Sequence, residues 1–215
     1  MSYYHQAVFL GNADNLIQQA IFRLSYQSSN YDLYGGFYLD FDQKSDQDVT
    51  YTDKQFSPLI GIQSKTIFKS RVYLELRDVN RNGDFPDNRP LQDEELRVGF
   101  FGYDLKEKGV FFTEWYYNIF YSHLYNEQII LQSWHKQGVR FSKFDIFNEF
   151  LLDSFDLTKQ EQITFDARPG ARLTFRQKDY SLQFLGQYLI PIDQSGREKE
   201  VRLSVIFYLD KDIIN

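Results

Sequence analysis

The clearest alternation in the chain runs from Ile163 to Arg176. Ile163, Phe165, Ala167, Pro169, Ala171, Leu173 and Phe175 form one wholly apolar set. Thr164, Asp166, Arg168, Gly170, Arg172, Thr174 and Arg176 form the other, charged, polar or small. A period of two is the strand period, because successive side chains leave a pleated backbone on opposite faces. At roughly 14 residues the run is about twice the usual strand length. Two architectures accept such a strand. In a soluble sheet the apolar face packs on a second layer; in a membrane barrel it meets lipid and the polar face lines the lumen.

The same alternation recurs along the chain and predicts about twelve strands and no amphipathic helix. The others fall at Tyr3–Leu10, Leu16–Gln27, Tyr31–Asp42, Phe56–Phe68, Arg71–Asp78, Leu96–Leu105, Val110–Tyr121, Gln128–Gln137, Phe144–Phe155, Tyr180–Ile190 and Val201–Leu209. In the last, Val201, Leu203, Val205, Phe207 and Leu209 oppose Arg202, Ser204, Ile206 and Tyr208. Alternation is weak in Gln128–Gln137 and Phe144–Phe155. The connections also sort. Short turns are expected at Ser28–Asn30, Lys69–Ser70, Lys106–Gly109, Gly138 and Gln177–Asp179, and longer polar loops at Gln43–Gln55, Val79–Glu95, Phe155–Gln162 and Pro191–Glu200. Tight turns at one end and longer loops at the other are the habit of an outer-membrane barrel, with both termini on the periplasmic side.

Composition strengthens the membrane alternative. Aromatics make up 18% of the 215 residues, while mean hydropathy is only −0.50. That combination suits a barrel, in which only alternate residues face lipid and aromatic girdles mark both interfaces. No run approaches the 18 apolar residues of a membrane-spanning helix. The net charge of −6 argues against a general nucleic-acid surface. With no cysteine, disulfides and thiolate metal sites are excluded. Met1–His5 has neither a basic nor an apolar leader region, so an exported protein is read here as a mature form or a fragment with an added Met.

Three groups of residues carry candidate chemistry. Arg71, Arg77, Arg97, Arg168, Arg172, Arg176 and Arg202 share the polar face with Tyr73, Glu75 and Asp166, and with Asp40, Asp42 and Glu114. Inside a barrel such a set either neutralises itself as ion pairs or guides an anionic cargo. Asp78, Asn80, Asn82, Asp84 and Asp87 space oxygen ligands through residues 78–88 around Gly83, which suggests a calcium-binding loop. Arg89 stands where an EF-hand would place a bidentate Glu, so the alternative is a solvated loop. Ser122-His123 and Ser133-Trp134-His135 are not embedded in a nucleophile motif, so no catalysis is expected. Pro169 at a strand centre predicts a bulge or an unpaired amide.

Tyr121-Ser122-His123, Ile130-Leu131-Gln132, Lys136-Gln137-Gly138, Pro169-Gly170-Ala171-Arg172-Leu173 and Arg202-Leu203-Ser204-Val205 carry a resemblance over roughly Gly99–Leu209. In these residues the chain resembles the C-terminal barrels of bacterial outer-membrane proteins of exopolysaccharide export and phage adsorption. The resemblance implies passage of polymer or display of a receptor surface, beside a periplasmic helical-repeat domain or other export components. The expectation is therefore a single domain over 1–215: an all-β, antiparallel, up-and-down transmembrane β-barrel of about 12 strands in a bacterial outer membrane. It is expected to be non-enzymatic, embedded in the lipid bilayer, and to pass a saccharide polymer. The alternatives are a porin for acidic oligosaccharides, a soluble β-sandwich or lipocalin-like binding module, and a structural or receptor barrel with a plugged lumen.

Overall fold

The computed structural model describes residues 2–10, 15–45, 50–83, 92–106, 110–122, 128–156, 164–193 and 199–210. They form twelve strands: β1 (Ser2–Leu10), β2 (Asn15–Gln27), β3 (Tyr31–Ser45), β4 (Thr50–Ser64), β5 (Ser70–Gly83), β6 (Gln92–Lys106), β7 (Phe111–Ser122), β8 (Gln128–Phe141), β9 (Phe144–Asp156), β10 (Thr164–Arg176), β11 (Tyr180–Pro191) and β12 (Glu200–Asp210). Every strand pairs antiparallel with its sequence neighbours, and β1 also pairs with β12, Ser2 opposite Asp210 and Leu10 opposite Arg202. The sheet thus closes into a barrel without a free edge.

Closure decides between the two architectures. A barrel has one sheet, so no second layer covers its outer face. That face carries exposed Phe56, Ile60, Leu74, Leu76, Val98, Phe100, Ile119, Ile146, Leu203 and Val205 around the circumference. Water does not tolerate so continuous an apolar belt, and lipid requires it. Closed barrels satisfy all backbone hydrogen bonds between strands, which is the condition for crossing a bilayer. The chain is a transmembrane β-barrel of outer-membrane type, and the sandwich and lipocalin-like alternatives fail on its outer surface.

The strands are taller than alternation suggested. β3 extends to Ser45 and β4 begins at Thr50, inside the loop expected over 43–55; β5 extends to Gly83 and β6 begins at Gln92, inside the loop expected over 79–95. Beyond the apolar belt both faces of a barrel strand are polar, so the period of two fades while the ladder continues. The turn expected at Gly138 lies at Ser142-Lys143 instead. Gly138 sits inside β8, where an added Cβ would come 2.6 Å from the Phe147 Cβ and 2.3 Å from the Ile146 carbonyl oxygen. Its missing side chain makes room for the inward Phe147 ring, so it marks a close approach in the barrel wall. Gly99 does the same for Tyr73, whose hydroxyl would stand 2.6 Å from the added carbon.

Pro169 stays in β10 without a bulge. The β10–β11 ladder skips from Ala167↔Ile190 to Gly170↔Gln187 in constant register, while on the other side Pro169 stands opposite Asn148. Among the described residues a register shift lies instead between β8 and β9, between Leu131 and Ser133. At the β8–β9 turn, Ser142 adopts a left-handed backbone with φ of 60°. A side chain there is strained and glycine is not. Ser142→Gly is expected to stabilise the barrel by about 0.5–1 kcal/mol, read as a higher temperature for conversion of the compact to the extended gel band. A lower conversion temperature would show that the serine is not strained.

Candidate functional site: the barrel lumen

Register fixes which side chains look inward. Pairing carries Arg23 (β2), Gly36 (β3), Leu59 (β4) and Arg77 (β5) along one inward rung, and Glu149 (β9) stands opposite Arg168 (β10) on another. All ten residues expected to line the lumen (Arg71, Tyr73, Glu75, Arg77, Arg97, Asp166, Arg168, Arg172, Arg176 and Arg202) fall on inward positions of their strands. The structure gathers most of them into two ion-pair networks.

The first network centres on Glu75, which is 1% exposed. Its Oε2 accepts from Arg23 Nη2 at 2.8 Å and from the Tyr34 hydroxyl at 3.1 Å, and its Oε1 from Arg77 Nε at 2.5 Å. Arg23 thereby reaches from β2 to β5 across the inner wall. Neighbouring Glu95 accepts from Arg97 Nη2 at 2.5 Å, with Arg81 3.9 Å away. The guanidinium groups also lie over aromatic faces: Arg23 is 4.6 Å from the Tyr34 ring centroid and Arg97 is 4.3 Å from that of Phe120. Tyr73 bridges to β7, sharing a 2.9 Å hydrogen bond with the Tyr116 hydroxyl and donating to Asn118 Oδ1 at 2.9 Å.

The second network joins β7 to β10. Arg172 grips Glu114 with two nitrogens, at 2.7 and 3.1 Å, and donates through Nε to Asp145 Oδ2 at 2.8 Å. Arg140 holds the other side of Asp145 at 2.8 and 3.1 Å. Lys136 pairs with Glu149 at 2.9 Å, and Arg168 with Asp166 at 3.1 Å. Phe112, Phe147 and Leu185 pack beneath these heads with Ile206, and Lys136 lies 4.9 Å from the Phe147 ring centroid. Pairing removes the cost that each lone charge would carry where these heads are buried. Of the two readings of the inward arginines, mutual neutralisation therefore accounts for Arg77, Arg97, Arg168 and Arg172.

Arg176 is different. Among the described residues it has no ion-pair partner, and it lies at the end of β10 near the short turns. There a cavity of about 420 Å³ is lined by Arg140, Lys143, Arg172 and Arg176 with Tyr103 and only one carboxylate, Glu114. Arg140 and Arg172 are matched there by Asp145 and Glu114, so Lys143 and Arg176 give this turn-end vestibule its cationic excess among the described residues. Lys143 and Gln183, which also face it, were not singled out by sequence. Lys143 sits in the β8–β9 turn, whose position was missed.

The expected cation loop is not formed by its first half. Asp78, Asn80 and Asn82 occupy β5, on the outer face, alternating with inward Arg77, Val79 and Arg81. Same-face neighbours on a strand are roughly 6–7 Å apart, too far for all three to share one ion. Asp84 and Asp87 lie outside the described residues. Ser122 faces the lumen and bonds to Asp93, His123 lies outside the described residues, and Ser133 and His135 point outward.

No family model and no curated protein matches the chain. Solved structures do. The KdgM porin in complex with disordered oligogalacturonate aligns with a TM-score of 0.51 and 12% identity, over 99% of this chain and 100% of that one. An outer membrane channel from Pseudomonas putida F1 gives 0.55 and 10%, over 97% and 93%. The beta domain of the Bordetella autotransporter BrkA gives 0.57 and 8%, over 98% and 97%. At such identities the likeness is one of fold: a closed antiparallel barrel of the kind these outer-membrane proteins share.

Proposed function

We propose that the barrel is a narrow, non-enzymatic pore for small saccharides, with a preference for acidic ones. The observation that carries this is the vestibule, where Glu114 and Asp145 match Arg140 and Arg172 while Lys143 and Arg176 add two positive charges with no ion-pair partner among the described residues. A sugar carboxylate suits the planar fork of an arginine, and sugar hydroxyls suit the fixed donors and acceptors of the two ion-pair networks. The likeness to a porin solved with an oligogalacturonate supports the same class of cargo. The export role implied by the sequence resemblance would use the same lumen and would add partners at the periplasmic end.

Liposome swelling tests this with neutral and uronate disaccharides of equal size. Acidic sugars are expected to enter faster, and Arg176→Glu to slow them at least threefold while neutral entry holds. Equal entry of both sugars into wild-type liposomes would remove the acidic preference, and no swelling with either would remove the pore.

A further inference from the structure

Charge inside this barrel changes sign from one end to the other. At the turn end Lys65 pairs with Asp32, Arg172 with Glu114 and Arg140 with Asp145. Three bases there have no ion-pair partner among the described residues: Lys143, Arg176 and Arg71, which donates to the Thr66 hydroxyl at 3.2 Å. Against them stands Asp210, which accepts from the Tyr208 hydroxyl at 3.4 Å. Lys178 and Asp179 cancel within the β10–β11 turn. The described turn end thus carries an excess of two positive charges. Between the ends, Arg23 and Arg77 share Glu75.

At the loop end the balance reverses. Asp40, Asp42, Asp93 and Glu95 look inward from the loop-end parts of β3 and β6, and the inward bases beside them are Arg81 and Arg97. Both bases lie against Glu95, Arg97 at 2.5 Å and Arg81 at 3.9 Å. Asp40 accepts from the Tyr38 hydroxyl at 2.9 Å, and Asp93 from the Ser122 hydroxyl and the Glu94 backbone amide, all neutral donors. Across the lumen Asp166 pairs with Arg168, and on β12 Glu200 is balanced by Arg202. Four acids with two bases leave the described loop end an excess of two negative charges.

The two mouths act separately. A strand of 14 residues such as β5, rising about 3.4 Å per residue and tilted by about 40°, sets them roughly 35 Å apart along the axis. That is more than three times the Debye length of about 10 Å at 0.1 M salt. Each mouth therefore gathers its own counterion, anions at the turn end and cations at the loop end. We propose that the barrel rectifies, passing more current when the loop side is positive than when it is negative. With the loop side positive, cations enter through the acidic mouth and anions through the basic one, so both carriers come from the mouth that concentrates them. With the polarity reversed, each must enter past fixed charge of its own sign, and the middle of the lumen is depleted of both. An acidic sugar follows the anions and is drawn in through the vestibule. The inference rests on the open pore proposed above and adds a polarity to it.

Single channels of known orientation test this in a planar bilayer. The chain has no cysteine, so Gln177→Cys in the exposed β10–β11 turn takes one biotin without changing the charge. Streptavidin, too large to pass the lumen, then marks the compartment that the turn end faces. In symmetric 0.1 M potassium chloride the current at equal and opposite voltages is expected to differ by at least about 1.5-fold, larger with the loop side positive, and the ratio to fall toward one at 1 M, where the Debye length is about 3 Å. Lys143→Glu with Arg176→Glu makes both mouths acidic and is expected to abolish the asymmetry. Both side chains are exposed and break no ion pair, so the heat-shifted gel band should persist. Equal currents at both polarities in 0.1 M salt would overturn the rectifier and leave the pore standing. Asymmetry of the opposite sign, or asymmetry that survives the double substitution, would assign it to shape and overturn the proposal too. Absence of any conductance would overturn both the rectifier and the pore.

Discussion

Glu75→Gln is expected to cost the barrel about 3 kcal/mol, the lower part of the range for breaking a buried ion pair. The carboxylate is fully covered and holds Arg23, Arg77 and Tyr34 at once; Arg23 keeps 27% of its side chain exposed, which moderates the loss. Without Glu75 two guanidinium groups face each other in the lumen with one neutral amide between them. The compact gel band should convert at a lower temperature. Adding Arg77→Leu to Glu75→Leu should recover part of the stability, because an apolar pair replaces an uncompensated charge. If Glu75→Gln converts at the wild-type temperature, the network around it is not a source of stability.

Arg168→Ala with Arg172→Ala should turn the proposed pore toward cations. These two arginines, with Lys136 and Arg140, now balance Glu114, Asp145, Glu149 and Asp166. Removing both leaves that wall with an excess of two negative charges. Under a tenfold salt gradient the reversal potential should move by tens of millivolts toward the ideal limit of about 59 mV for a singly charged cation. An unchanged reversal potential would place both arginines off the conduction path.

Much of this barrel was written in the chain, and the losses have identifiable causes. The stretch around Arg168 and Arg172 gave its strand, its faces and its inward charges, because burial on one side and lipid on the other leave period two intact. The partnerships did not follow. Arg23 meets Glu75 from three strands away, and only the curvature of the closed sheet brings them together. Gly138 reads as a turn residue in isolation; its role depends on Phe147 from the next strand. The weak alternation of β8 and β9 has a cause that sequence did not disclose. It comes from Ser133, His135, Gln137 and Asn148 standing outward among apolar neighbours, where lipid-facing residues were expected.

The pairing of β1 with β12 bears on how the chain reaches this shape. Eleven of the twelve contacts between strands join consecutive segments and form locally, hairpin upon hairpin. The twelfth brings Ser2 to Asp210 and closes a ring of nearly the whole chain. Closure entropy grows only with the logarithm of length, so this seam costs about 3 kcal/mol more than a hairpin. The cost is modest; the timing is not. Until the seam forms, β1 and β12 are two open rows of backbone donors and acceptors, each able to pair with a stranger. The exposure to strangers lasts until β1 meets β12, along a seam of nine residue pairs.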